Sequence, residues 1–312
     1  MGEKSKRLFC FGYGYTCDYL GYALQQLKSG WTISGTTRDP ERRNELLARR
    51  IRTYLFDIDQ PLEDPYDLLR GVTHVLVSTP PDDDGDPAFL AHAREIAAMP
   101  NLEWLGYLST TGVYGDRDGG QVDENSELRP NSKRGSRRLR AEQQWWSLFQ
   151  SYGVPLHIFR LSGIYGPGRS ALDSVRAGVA RRINKPGQAF NRIHVEDIVQ
   201  VLMASFAKPH PGGIYNLADD DPVPSHEVIK YACELLDIVP PPLIPYDEAD
   251  MAPIARSFYQ DNKRIKNDKI KKELGVILKY PDFRAGLRGC LEAEKHAGIM
   301  AFSRASGGNE AA

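Results

Sequence analysis

The sequence has few cysteines, no long apolar run and no excess of charge of either sign. Its four cysteines, Cys10, Cys17, Cys233 and Cys290, are scattered with no Cys-x-x-Cys pair. That spacing argues against a structural zinc site and for a reducing, cytoplasmic compartment. The seven histidines show no metal-ligand spacing, so no metal is expected. No apolar stretch reaches the roughly 18 residues of a membrane span. Forty Lys and Arg against 41 Asp and Glu leave a formal charge of −1, so no global field recruits nucleic acid or a membrane. The short polar leader is expected to leave no room for a signal peptide. Met1-Gly2 opens like a myristoylation signal, but Lys6 stands where that signal needs Ser or Thr.

What is present begins within the first twenty residues. The run KRLFCFGYGYTCDYLGYALQQL is a short apolar stretch, then Gly12-x-Gly14-x-x-Cys17, then a helical pattern. A strand opening through glycines into a helix is a dinucleotide-pyrophosphate site. Gly12 permits the turn, Gly14 lets a phosphate approach the backbone, and the first helical amides, at Tyr15 and Thr16, face it. Cys17 takes the small-residue position where helix and strand pack closely.

At 312 residues and 41% hydrophobic, the chain is long enough for one large α/β domain and a smaller one. Apolar segments at Arg7–Phe11, Trp31–Thr36, Arg52–Phe56, Val72–Ser78, Leu102–Ser109 and Pro155–Arg160 read as strands covered on both faces. Helical patterns fall between them near Tyr15–Lys28, Pro40–Arg50, Pro87–Met99 and Ser132–Tyr152. The alternation predicts a doubly wound parallel sheet. Further on, Ser170–Arg182, Val195–Ala207 and Ser225–Leu236 read as helices, Gly213–Leu217 as a strand, and Asn262–Leu274 and Asp282–His296 as closing helices. The expected division is a nucleotide-binding domain over 1–165 to which 193–217 returns, a substrate domain from 166–192 and 218–296, and a disordered tail over 297–312.

The cofactor's ribose selector belongs at the end of the second strand, where the sequence reads TISGTTRDP. No acid stands at that strand tip to bind a ribose 2′-hydroxyl. Thr36, Thr37 and Arg38 do, with Arg42 and Arg43 a turn further on. A guanidinium there favours a 2′-phosphate, so NADP(H) is expected over NAD(H), against the plainer reading of Arg38 as a solvated surface residue. Asp57, ending the third strand, is a candidate adenine neighbour or a turn cap. Ser78 and Thr79, ending the fourth, are candidate cofactor neighbours.

Four motifs now carry a resemblance: FGYGYTC, LSTTGVYGD (Leu108–Asp116), RLSGIYGPGR (Arg160–Arg169) and RIHVEDIV (Arg192–Val199). In order and spacing the chain to about residue 295 resembles the extended and atypical short-chain dehydrogenase/reductase superfamily, the NAD(P)-dependent epimerases and dehydratases. The resemblance implies a Rossmann domain with a small carboxyl-terminal substrate lid. It gives Thr110 the role of the hydroxyl that hydrogen-bonds the substrate oxygen. It also implies a Tyr-x-x-x-Lys on the next long helix, the Tyr as acid/base and the Lys on the nicotinamide ribose. Here the Tyr position is Arg134 and the Lys position is Arg138.

Arginine neither gives nor takes a proton near neutrality. Arg138 retains the positive charge and donors of the Lys. Tyr114 and Tyr165 are the candidate replacements for the acid/base, with Asp116 and His194 behind them; His194 reads better as a structural hydrogen-bonding residue at a helix start. Tyr259-x-x-x-Lys263 has the family spacing in the wrong place and reads as coincidence. Arg134, Arg137, Arg138, Arg140 and Lys133 form a basic cluster, read either as a salt-bridged helix face or, for Arg134 and Arg138, as part of the cofactor site. Arg169 and Arg192 are candidate substrate contacts. The acidic run Pro80–Pro87 is either a solvated loop or part of the ligand edge.

The expectation is therefore an NADP(H)-dependent oxidoreductase, or an epimerase/dehydratase-like enzyme with a degenerate acid/base site. Its substrate is small, polar and anionic or nucleotide-sugar-like. The alternative is an NADP(H)-binding regulatory or scaffold protein without turnover. A homodimer through long helices is common in the superfamily, and Trp145 and Trp146 suit such a surface.

Overall fold

In a computed structural model, residues 6–27 and 30–295 are described. Strand β1 (Arg7–Phe11) leads through the glycines into α1 (Tyr15–Gln26). It is followed by β2 (Thr32–Thr37), α2 (Pro40–Ala48), β3 (Arg52–Leu55), the short α3 (Pro65–Leu68), β4 (His74–Val77), α4 (Pro87–Ala97) and β5 (Trp104–Thr110). A 3-10 turn (Thr111–Tyr114) and β6 (Gln121–Val122) precede the long α5 (Lys133–Tyr152), then β7 (Leu156–Leu161) and β8 (Gly163–Tyr165). The remainder comprises α6 (Ala171–Arg176), β9 (Arg182–Asn184), β10 (Arg192–His194), α7 (Val195–Ala207), β11 (Gly213–Leu217), α8 (Ser225–Leu235), β12 (Leu243–Pro245), α9 (Pro253–Ser257), β13 (Arg264–Ile265), α10 (Asp268–Leu274) and α11 (Phe283–Lys295).

Seven strands form one parallel sheet in the order β11-β7-β5-β4-β1-β2-β3. Continuously apolar strands such as His74–Val77 are buried along their whole length because helices cover both faces of the sheet. One face packs on α1 and α7 through Leu20, Leu24, Ile198 and Leu202; the other packs on α4 and α5 through Ile96, Trp145 and Leu148. The strand order reverses between β1 and β4. That is the switch point where a crevice opens at the carboxyl edge of a doubly wound sheet. A separate cluster around Leu172, Val228, Phe283 and Leu287 joins α6, α8 and α11 above that edge.

Three sequence expectations change. The helix expected over Ser170–Arg182 stops at Arg176, because the chain turns at Gly178 with φ +69° and enters β9. The helix expected from Asn262 begins only at Asp268, since Arg264–Ile265 pairs in parallel with Gln121–Val122. Trp145 is fully buried, edge-on to Phe89 at 5.4 Å, so it offers no surface to a partner; the half-buried Trp146 packs on Phe149 at 5.1 Å. The tail over 297–312 lies outside the described residues. Among the described residues, no helix is long and apolar enough to cross a membrane.

Candidate active site

Gly12 adopts φ +81°, and a Cβ there would come within 3.1 Å of the Thr79 backbone nitrogen. Only glycine fits that turn against the end of β4. The turn is pinned to β2 by Gly12 N donating to Thr36 Oγ1 at 2.9 Å, and Tyr13 N to Thr36 O at 2.6 Å. Beneath it, Cys17 is buried with its thiol 3.4 Å from Gly12 O. Gly14 borders open space, with no atom within 4 Å of a Cβ built on it. The N-termini of α2, α4 and α5 are closed by the side chains of Asp39, Asp86 and Ser132, whereas α1 has no side-chain cap. Room above Gly14 and uncapped amides from Tyr15 and Thr16 onward fit a diphosphate.

At the ribose end, Arg38 is exposed at the tip of β2, and Thr37 Oγ1 accepts from Asp39 N at 3.2 Å. Asp39 turns its carboxylate onto the amides of Glu41 and Arg42. Arg42 is committed to Asp18 and to Glu45, and Arg43 Nε reaches Thr53 O at 3.3 Å. Asp18, in the first turn of α1, is buried. Burial raises its pKa, and Arg42 and Arg49 pull it partly back. Asp57 caps its own turn, accepting from Ile58 N at 2.8 Å.

At the centre of the crevice, Ser78 N continues the β1–β4 register onto Phe11 O. Thr79 Oγ1 donates to the buried Asp86, whose carboxyl is pushed up to about 6 by burial. Arg138 Nη1 donates to Leu108 O at 2.8 Å, Tyr107 Oη at 3.2 Å and Thr79 O at 3.3 Å. It thus straddles the ends of β4 and β5. Thr110 Oγ1 accepts from Gly112 N at 3.1 Å, which leaves its own hydroxyl hydrogen for another acceptor. Arg134 is exposed, its guanidinium 4.5 Å from the ring centre of Phe258. Lys133 and Arg137 grip the acidic loop, at 2.9 and 2.7 Å from Asp83.

Among the described residues, neither candidate phenol hydrogen-bonds Thr110, and only Tyr165 lines the cavity on the substrate side. Tyr114 is fully buried, donating to Asn216 Oδ1 at 2.7 Å and accepting from Arg160 Nη1 at 2.9 Å. Burial holds its pKa at about 12. The Tyr165 hydroxyl lies against α11, where a Cβ on Gly286 would fall 1.9 Å from it. His194 caps α7 through Nδ1 on Glu196 N, wedged between Tyr165 and Tyr280, and burial lowers its pKa to about 3. Asp116 accepts from Asn262 N at 2.7 Å. Tyr259 and Lys263 are separate pins rather than a pair: Tyr259 Oη meets Ser225 Oγ at 2.9 Å, and Lys263 Nζ donates to Gly115 O at 2.9 Å.

On the substrate side, a cavity of about 480 Å³ is lined by Arg169, Ser170, Arg192, Ser225 and Phe283, among others. Arg169 lies 5.7 Å from the ring centre of Tyr15, so it stands between the head of α1 and the cavity. Arg192 Nη1 donates to Phe190 O and Val223 O. Asp219 is 3% exposed with neither carboxylate oxygen in hydrogen-bond geometry. Burial drives its pKa to about 8, partly opposed by Arg192. A wider surface depression of about 580 Å³, lined by Arg7, Asp67 and Arg70, lies beside Gly71 and Thr73, at the amino edge of the sheet and away from these groups.

Sequence reasoning missed Asp219, Phe258 and the Glu142–Arg160 pair. Nothing in the local pattern around Asp219 or Phe258 announces a cleft.

A parallel sheet that opens through an uncapped, glycine-led helix at its switch point defines a Rossmann-type fold. Residues 90–218 match the model of the NAD dependent epimerase/dehydratase family. It is 26% identical over 274 residues to Protein YeeZ of Escherichia coli (strain K12), spanning 85% of this chain and 94% of YeeZ. A solved structure of a functionally unknown conserved protein from Silicibacter pomeroyi DSS is 49% identical, with a TM-score of 0.84 over 92% of this chain and 99% of that one. The dTDP-glucose 4,6-dehydratase of Bacillus anthracis, solved with NAD, shares the fold at 18% identity and a TM-score of 0.75, over 95% and 98% of the two chains.

Proposed function

We propose that this chain is an NADP(H)-dependent oxidoreductase, or an epimerase/dehydratase-like enzyme, acting on a small, polar, anionic or nucleotide-sugar-like substrate. The observation that carries the reading is the uncapped start of α1 behind Gly12 and Gly14 at the switch point. A bound nicotinamide dinucleotide would supply hydride transfer. Tyr15 and Thr16 offer backbone amides to the diphosphate, Asp57 borders the adenine end, and Ser78 and Thr79 wall the centre. Arg138 takes the nicotinamide ribose in place of the family Lys, and Arg38 takes a 2′-phosphate. Thr110, already accepting from Gly112, donates its hydrogen to a substrate oxygen. Arg192, and Arg169 at the mouth of the cavity, hold the substrate's anionic part.

Among the described residues, neither Tyr114 nor Tyr165 hydrogen-bonds Thr110, so the favoured chemistry is one whose proton comes from substrate or water. The same observation supports the alternative: a dinucleotide-bound regulatory or scaffold protein without turnover. Titration of NADPH and NADH by nicotinamide fluorescence tests the first step. Saturable binding below millimolar, tighter for NADPH, is expected; no binding of either would end the reading. Consumption of NADPH against carbonyls and nucleotide sugars, abolished by Thr110→Ala, separates enzyme from scaffold.

A further inference from the structure

Arg134 differs from its neighbours on α5. Arg137 pairs with Asp83, and Arg138 turns its Nη1 onto three oxygens while its other donors stay available. Among the described residues, no hydrogen bond or ion pair engages the Arg134 guanidinium, which lies 4.5 Å from the ring centre of Phe258. Asp261, whose charge reaches Arg134, is already taken by Lys263 at 3.0 Å.

The place is fixed from both sides. The first turn of α5 is pressed onto the Thr110–Gly112 turn so closely that a Cβ on Gly135 would come within 2.8 Å of Gly112 O. The head of α5, which carries Arg134, therefore adjoins the turn that follows Thr110. Phe258 arrives from the carboxyl-terminal segment and is held there by the pins that follow it, Asn262 N on Asp116 at 2.7 Å and Lys263 Nζ on Gly115 O at 2.9 Å. A guanidinium stacked by one face on an aromatic ring keeps its edge donors, which match the two oxygens of a carboxylate. A diphosphate end of a substrate has the Arg192 cavity available, so an anion at Arg134 belongs to the reacting end.

We propose that Arg134, held flat against Phe258, binds a carboxylate carried next to the reacting carbon, so the substrate is a sugar acid or related hydroxy or oxo acid and not a neutral sugar. This rests on the proposed function and names its substrate class. The test uses the full chain loaded with NADPH, titrated calorimetrically with UDP-glucuronic acid against UDP-glucose, and with D-glucuronate against D-glucose. In at least one pair the acid is expected to bind about tenfold more tightly or better, the size of one charge-assisted contact. Arg134→Gln is expected to erase that preference, Arg134→Lys to keep part of it, and Phe258→Leu to weaken it. NADPH binding by each variant reports folding. No preference in either pair, or a preference intact in Arg134→Gln, overturns the proposal. Failure of the wild-type chain to bind NADPH defeats the proposed function instead, and the same pairs titrated without cofactor still decide the role of Arg134.

Discussion

Arg160 and Glu142 form a buried ion pair, Nη2 to Oε2 at 2.8 Å, with side chains 3% and 5% exposed. Arg160 also donates from Nε to both Glu142 oxygens, at 3.1 and 3.3 Å, and Ser109 donates to Oε1 at 2.5 Å. Through Tyr114 and Asn216 the network ties β5, α5, β7 and β11 together behind the Thr111–Tyr114 turn. Such a pair fixes geometry more than it adds net stability, but losing one partner strands the other charge.

Glu142→Leu is accordingly expected to cost about 3–5 kcal/mol in denaturant unfolding, because Arg160 remains buried and unpaired. A loss under about 1 kcal/mol would mean that Arg160 finds water or another acceptor.

Arg38→Ala is expected to weaken NADPH by roughly tenfold or more while leaving NADH nearly unchanged, since only the former carries the 2′-phosphate. Fluorescence titration of both cofactors reads this directly. Equal losses would remove Arg38 from cofactor selection.

Thr110→Val keeps the volume of the side chain and removes its hydroxyl. If turnover is found, kcat is expected to fall by about 10²-fold, the usual cost of one donor aimed at a developing charge. NADPH affinity should be retained. Unchanged kcat would place the substrate oxygen elsewhere.

Asp219 predicts a pH dependence of stability. Its carboxyl, raised by burial to about 8, keeps its proton in the folded state where the unfolded chain has lost it. Stability therefore falls as pH climbs from the ordinary carboxylate range, about 4, towards about 8. The buried His74 and His157, lowered to about 4, and His194, lowered to about 3, act oppositely below about 6.5. Asp86 and Asp197, at about 6, have lost their protons by then. Between pH 6.5 and 8, unfolding free energy is expected to drop by at most about 1.4 kcal/mol per pH unit. Asp219→Asn should flatten that decline and stabilise the protein at pH 8; an unaltered slope would assign it to another group.

The sequence by itself determined the parallel sheet and the glycine turn. Both are local: apolar runs covered on two faces, and a strand-to-helix turn at Gly12 that excludes any side chain. Its resemblance to the short-chain dehydrogenase/reductase superfamily also pointed to Thr110, Arg134 and Arg138. Only the tertiary structure decided what the phenols do. Tyr114 and Tyr165 belong to motifs that adjoin the crevice in sequence, yet their hydroxyls are turned into Arg160–Asn216 and α11, because buried polar groups must find partners wherever packing supplies them. Phe258 over Arg134 and the stranded carboxyl of Asp219 were likewise invisible. Each arises from segments more than a hundred residues apart, or from burial that no local pattern encodes.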